Sequence, residues 1–245
     1  MSDSLIIIPT YKEKENIEKI ILKIFSLDKV FDILVVDDNS PDGTAEIAEL
    51  LIKQFPDRLF LEKREGKLGL GTAYIHGFKW ALKRKYEYIF EMDADFSHNP
   101  DDLIKLYNAC ANNNADLAIG SRYISGANVV NWPMKRVLMS YYASAYVRFF
   151  TGMKIKDTTA GFVCYKRKVL ETINLDAIKF KGYAFQIEMK FTAWKSGFNI
   201  VEIPIIFTDR KFGESKMNKT IFKEAACGVI KMKFDSIFKK NKKIK

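Results

Sequence analysis

The chain has 245 residues, 48% of them hydrophobic, and a formal net charge of +10, enough for one large α/β domain with a small appendage and a core that needs no staples. Cys110, Cys164 and Cys227 are far apart and lack Cys-x-x-Cys or Cys/His ligand spacing, which argues for a reducing compartment and against a disulfide scaffold or structural zinc. No basic leader precedes Leu5-Ile6-Ile7-Ile8 and no run of about 18 apolar residues occurs, so neither a secretory signal nor a spanning helix is expected.

In chain order, Leu5 to Ile8 predicts a strand, followed by a helix through Ile17, Ile20, Ile21 and Ile24. Ile33 to Val36 predicts a second strand and Ala45 to Phe55 a second helix; Leu59 to Leu61 suits a third strand, and Gly69 to Lys83 a third helix. This β-α-β-α order implies right-handed crossovers and a mainly parallel sheet with helices on its faces. Tyr88 to Met92 reads as a strand, Asp101 to Ala111 as a helix behind Pro100, and Leu117 to Gly120 as a further strand. A loop rich in Ser, Gly and Asn, Ser121 to Lys135, leads into an aromatic amphipathic segment, Val137 to Phe150. A strand at Phe162 to Tyr165 and a helix at Phe185 to Ser196 follow. Pro204 makes the run Ile200 to Phe207 an edge or a bend rather than a central strand. After the loop Thr208 to Met217 comes a last amphipathic segment, Ile221 to Phe238, within a lysine-rich tail. From Lys231 onward that tail holds seven lysines against Asp235; nucleic acid, anionic lipid and plain solvation all suit such a block.

Ligands of open α/β sheets sit outside the carboxyl ends of the strands, and three of those ends are polar here: Pro9-Thr10-Tyr11-Lys12-Glu13, Asp37-Asp38-Asn39-Ser40 and Asp93-Ala94-Asp95. Alternation along an extended chain would place Asp93 and Asp95 on one side, where both meet a divalent cation that a diphosphate also grips. A Tyr or Pro face can stack on a base, and carboxylates can accept from ribose or base donors. Nucleotide-sugar chemistry is the first expectation. The glycine-rich stretch Gly66 to Gly71 matches neither a P-loop nor Gly-x-Gly-x-x-Gly, since Tyr74 stands at the third glycine position.

These motifs, with Val35-Val36-Asp37-Asp38-Asn39-Ser40-Pro41-Asp42-Gly43-Thr44, Lys67-Leu68-Gly69-Leu70-Gly71-Thr72-Ala73, Gly120-Ser121-Arg122-Tyr123, the Gly182 to Met189 run and Asp209-Arg210-Lys211-Phe212-Gly213-Glu214-Ser215-Lys216, stand in one order. The chain thereby resembles the family 2 glycosyltransferases of the GT-A (Rossmann-like) fold, and among them the dolichyl-phosphate, or polyprenol-phosphate, mannose synthases. The resemblance spans residues 5 to about 217 and implies a catalytic domain at 1–217 with an amphipathic, basic helical appendage at 218–245. It implies nucleotide contacts at Pro9, Tyr11, Glu13, Val36 and Asp38. Asp93, Ala94 and Asp95 would hold the diphosphate and a Mg²⁺ or Mn²⁺ ion, and Arg210 and Lys216 would close over the diphosphate. Where many relatives place a glutamine metal ligand this chain has Ser97, a weaker donor. Arg122, Arg136 and Ser140 match the positions that cradle the acceptor phosphate, for which planar guanidinium groups are suited. Asp95, Arg122 and Arg210 carry the catalytic expectation.

The implied reaction is inverting transfer of mannose from GDP-mannose to a polyprenyl phosphate. A phosphate monoester is already a nucleophile at pH 7, its second pKa being about 6, so no general base is needed and His76 and His98 read as structural. The lipid acceptor implies peripheral association with the cytoplasmic face of a membrane, through Val137 to Phe150 and the residues from Ile221 onward. The nearest alternative is the same fold using UDP-glucose or another UDP-sugar. A nucleic-acid-binding basic protein is the remote one, disfavoured because three acidic turns would repel phosphate without a metal.

Overall fold

The computed structural model describes residues 2–182, 184–209 and 228–235. Strands β1 (Ser4–Thr10), β2 (Asp32–Asp37), β3 (Leu59–Lys63) and β4 (Tyr88–Glu91) alternate with helices α1 (Ile17–Phe25), α2 (Thr44–Gln54), α3 (Leu70–Leu82) and α4 (Asp102–Ala111). Then follow β5 (Leu117–Ser121), β6 (Val129–Val130), α5 (Met134–Thr151), β7 (Val163–Lys166), α6 (Arg167–Thr172), α7 (Ala184–Lys195), β8 (Ile200–Pro204) and β9 (Phe207–Thr208).

Seven strands form one sheet in the order β3-β2-β1-β4-β7-β5-β8, parallel except for β7, which runs antiparallel to both neighbours. The near-continuous apolar strands reflect burial on both faces. Alternation assigns each residue to a layer: Leu5, Ile7, Leu34 and Val36 join the α3 and α7 side, whereas Ile6, Ile8, Ile33 and Val35 join the α1, α2 and α4 side. On α1, Ile17, Ile20, Ile21 and Ile24 are the buried stripe. On the other face Tyr74, Phe78 and Phe185 stack with ring centroids 6.0–6.5 Å apart, and Tyr165 meets Phe78 edge-on at 5.4 Å. Cys110 and Cys164 are small buried residues within the layer on the α1, α2 and α4 side.

Two boundaries differ from the sequence reading. Helix α5 starts at Met134 rather than Val137, because the Pro133 carbonyl accepts from Arg136 N at 2.8 Å and Val137 N at 3.2 Å. Arg136 is thereby drawn into the first turn, one turn below Ser140. The run from Ile200 breaks at Pro204, which ends the edge strand β8; Phe207 then pairs with Val129 in a separate two-stranded sheet. Among the described residues no helix is long and apolar enough to cross a membrane.

Candidate active site

β1 lies between β2 and β4, so the chain order reverses there and a crevice opens at the strand ends. On its β2 side Asp37 is consumed internally, accepting from Thr10 Oγ1 at 2.7 Å, Ser40 N at 2.8 Å and Ser40 Oγ at 2.6 Å. Asp38 is gripped by Arg64, Nε at 2.6 Å and Nη2 at 2.5 Å on one oxygen, while Leu68 N donates to the other at 3.2 Å. Arg64 Nη1 donates to Thr72 Oγ1 at 2.8 Å, tying Asp38 to the start of α3. Arg64 escaped the sequence reading because a lone arginine after a strand carries no signal without its partner. The run to Thr44 is wired to the first strand end, Ser40 Oγ accepting from Lys12 N and Thr44 Oγ1 from Glu13 N, both at 3.0 Å. Lys67 lies 4.7 Å from the Tyr11 ring. Pro9 and Val36 sit in register, and the Val36 side chain is wholly in the core.

The glycines of the Gly66 to Gly71 stretch work by packing. Gly71 N donates to Lys181 O at 2.8 Å, and a Cβ at Gly71 would fall 2.8 Å from Phe180 O and from Phe185. Glu188 accepts from Lys179 N at 2.8 Å and Phe180 N at 3.0 Å, holding that loop ahead of α7.

β4 ends at Glu91, so Asp93 to Ser97 form a turn rather than a strand extension. The chain reverses at Phe96, φ 59°, and Asp95 Oδ1 accepts from Ser97 N at 3.0 Å. Asp95 and Ser97 are thus joined by a turn rather than by strand alternation, while the Asp93 side chain reaches toward Tyr74 of α3. Asp93 is half-buried and Asp95 and Ser97 are buried; Ser97 Oγ is a buried oxygen with no hydrogen-bond partner. Carboxylate and hydroxyl oxygens of this kind are hard donors that would suit a Mg²⁺ or Mn²⁺ ion. No group of three His, Cys, Asp or Glu side chains able to hold a metal occurs among the described residues.

His98 stacks on Phe162, centroids 4.9 Å apart, and meets Phe207 edge-on at 5.3 Å. Burial drives its pKa down to about 4, with Asp95 pulling the other way, which keeps the ring neutral at pH 7. His76 instead pairs with Glu62 at 2.9 Å on α3.

Phe207 joins the Asp93 to Ser97 turn to a basic cluster. Thr208 N donates to Ser97 O at 3.1 Å, and the Phe207 ring lies 5.1 Å from Trp132 and 5.5 Å from the Arg122 guanidinium. Arg122, just after β5, is itself held: Nε and Nη2 meet the Asp157 carboxylate at 2.7 and 2.6 Å, and Nη2 also donates to Thr159 Oγ1 at 2.8 Å. Burial would raise the Asp157 carboxyl, but Arg122 outweighs it and holds it below its ordinary value. Arg122 is thus a buried, paired guanidinium rather than an open fork. Arg136 lies 4.1 Å over Trp132 and 2.8 Å from Asp209, more exposed than Arg122, with Ser140 half-buried one turn on. Tyr123 joins this group; burial pushes its phenol up, while Arg122 and the Ser140 hydroxyl pull it down. Arg210, Lys216 and Cys227 lie outside the described residues, as does most of the segment from Ile221, whose residues 228–235 are helical.

Beneath both halves lie Glu91, Gln186 and Lys190, all buried. Burial pushes the Glu91 carboxyl up and the Lys190 ammonium down, and each one's charge draws the other back toward its ordinary value. In sequence the Gly182 to Met189 run is legible only as a family marker, and its link through Gln186 to Glu91 is not.

The fold is shared with solved glycosyltransferases at low identity. A mannosyltransferase from Pyrobaculum calidifontis, solved with GDP-Man and Mn²⁺, superposes with a TM-score of 0.63 at 17% identity, covering 99% of this chain and 66% of that one. Glucosyl-3-phosphoglycerate synthase from Mycobacterium tuberculosis, solved with Mn²⁺, UDP and glucosyl-3-phosphoglycerate, gives 0.65 at 16% identity, covering 95% and 78%. Sequence relatives are much nearer. Polyprenol monophosphomannose synthase of Mycolicibacterium smegmatis is 48% identical over 222 residues, 91% of this chain and 83% of that protein. Undecaprenyl-phosphate mannosyltransferase of Micrococcus luteus is 44% identical over 225 residues, 92% and 91%. The profile of glycosyl transferase family 2 matches residues 5–173, which hold every strand of the crevice and both aspartates of the Asp93 to Ser97 turn: the chain is a GT-A glycosyltransferase of family 2.

Proposed function

We propose that this enzyme transfers mannose from GDP-mannose to a polyprenyl phosphate in one inverting displacement, giving a β-linked mannosyl phospholipid from an α-linked donor. The observation that carries the reading is the contact of the two half-sites: the Asp93 to Ser97 turn, suited to a metal diphosphate, meets the Arg122, Arg136 and Ser140 cluster through Phe207 and Thr208. The names of the two near relatives support the sugar and the lipid, and the crystallised relatives support a divalent ion.

In this reading Asp38, fixed by Arg64, accepts from the base, and Tyr11 offers it a ring face. Asp93, Asp95 and Ser97 hold the divalent cation, which when bound neutralises the charge developing on the leaving diphosphate. Arg136 and Ser140 take the acceptor phosphate at the mouth while Arg122, braced by Asp157, supplies fixed positive charge behind it. Arg210 and Lys216 enter by resemblance alone, as cations over the diphosphate. His98, neutral and packed between rings, takes no proton; the acceptor dianion needs no base.

Peripheral membrane binding fits the outer face of α5, where Met134, Tyr142 and Phe149 are 69, 64 and 83% exposed beside the acceptor cluster. The test is incubation with Mn²⁺ or Mg²⁺, a short polyprenyl phosphate, and GDP-mannose or UDP-glucose in parallel, with mass spectrometry of the lipid. A mannosyl phospholipid is the expected product; equal or greater turnover of UDP-glucose overturns the donor assignment.

A further inference from the structure

The two half-sites are joined below the surface by polar side chains that the chemistry above leaves unused. Glu91 ends β4 two residues before Asp93 and is 0% exposed. One of its oxygens accepts from Gln186 Nε2 at 2.6 Å and the other from the Tyr165 hydroxyl at 3.4 Å. Gln186 Oε1 in turn accepts from Lys190 Nζ at 3.1 Å, and the same ammonium donates to Ala160 O at 2.5 Å. Ala160 follows Asp157 and Thr159, the two residues that grip Arg122. Gln186 and Lys190 lie one turn apart on α7, so one helix face reaches both the strand that carries the Asp93 to Ser97 turn and the loop that braces the arginine.

Stability alone does not account for this arrangement. Desolvating a carboxylate and an ammonium commonly costs more than their attraction returns, and apolar side chains of equal volume would pack at least as well. The surrounding layer is filled that way, by Phe78, Phe185 and Val163. Directional hydrogen bonds add what apolar contacts lack: fixed angles and separations between the elements they join.

We propose that Glu91, Gln186 and Lys190 are positioning residues that set the separation of the Asp93 to Ser97 turn from Arg122, and so align the acceptor phosphate on the donor sugar. The proposal rests on the reading of the site as a sugar transferase acting on a lipid phosphate. Each substrate keeps its own direct contacts when the chain of bonds is broken, so relative placement suffers rather than binding. A misplacement of about 1 Å can lower a rate by about a hundredfold.

The test uses the full chain carrying Glu91→Gln with Lys190→Met, which removes both buried charges at nearly constant volume, and separately Gln186→Met, which cuts the middle link. The expected result is a kcat about a hundredfold below the parent, with KM for donor and acceptor each within about threefold, and calorimetric GDP binding in the presence of Mn²⁺ at the parent's stoichiometry. A kcat within about threefold of the parent, a loss expressed mainly in KM, or a loss that only tracks missing GDP-binding sites overturns the proposal. Should the double variant not fold, Gln186→Met is judged by the same criteria. A parent that forms no glycosyl lipid removes the proposed function itself, whereas a parent that does and variants that match it remove only the positioning role.

Discussion

Ser97 holds an unusual position among the residues of the Asp93 to Ser97 turn. Its hydroxyl is buried without a partner, an arrangement that costs about 1–3 kcal/mol unless a ligand completes it, while its backbone N–H shapes the turn by donating to Asp95. Ser97→Ala should therefore keep or raise the thermal midpoint and raise the Mn²⁺ concentration for half-maximal transfer several-fold; an unchanged metal dependence would remove Ser97 from the ligand set. Asp95→Ala should lower transfer by at least about a hundredfold with the fold intact, read by product formation alongside circular dichroism. The same scale shows how a motif residue can have two duties. Asp38 carries the family pattern, and one of its oxygens is occupied by Arg64 and the other by Leu68 N, so a nucleotide would meet it held in one orientation.

At the scale of elements, α5 departs most from the pattern of a soluble helix. Ser144, Val147 and Thr151 are its buried residues, whereas Met134, Leu138, Met139, Tyr141, Tyr142 and Phe149 are exposed. A bilayer surface would cover those side chains while the adjacent Arg136 and Ser140 meet the phosphate of a lipid lying in it. Tyr142→Ser combined with Phe149→Ser should reduce co-sedimentation with phosphatidylglycerol-containing vesicles by about tenfold or more, since each large side chain moved out of water is worth about 1.5–3 kcal/mol. The thermal midpoint should stay within a few degrees, because neither side chain is packed in the core. Unchanged vesicle binding would refute the role of this face.

For the whole molecule, acid stability is a readable consequence of the burial of His98 between Phe162, just before β7, and Phe207 of β9. His98 has an ordinary pKa of 6.5 and a folded value of about 4, so between those limits the unfolded chain binds more protons than the folded one. Stability therefore falls as pH drops from about 6.5 to about 4 and is independent of this group above that window; the contribution reaches at most about 3 kcal/mol. Chemical denaturation at pH 7 and pH 4.5 should show a smaller difference for His98→Phe, which keeps the ring stack, than for the parent. Equal differences would assign the acid sensitivity elsewhere.

The local level was legible in the sequence by itself: apolar runs and their 3.6-residue or two-residue periods located β1 to β5 and α1 to α4, Pro204 marked the end of an edge strand, and the ordered motifs marked the crevice and its family. Those features depend on neighbours within a few residues, where propensity and alternation act directly. The pairings that shape the site do not. Arg64 reaches Asp38 across 26 residues, Arg122 reaches Asp157 across 35, and Gln186 reaches Glu91 across 95. Only the packing of the elements against one another brings them into contact, as where β3 lies beside β2 and carries Arg64 to Asp38. Charge pairing in a buried site is decided by which elements share a wall, and that is a property of tertiary topology rather than of any stretch of chain.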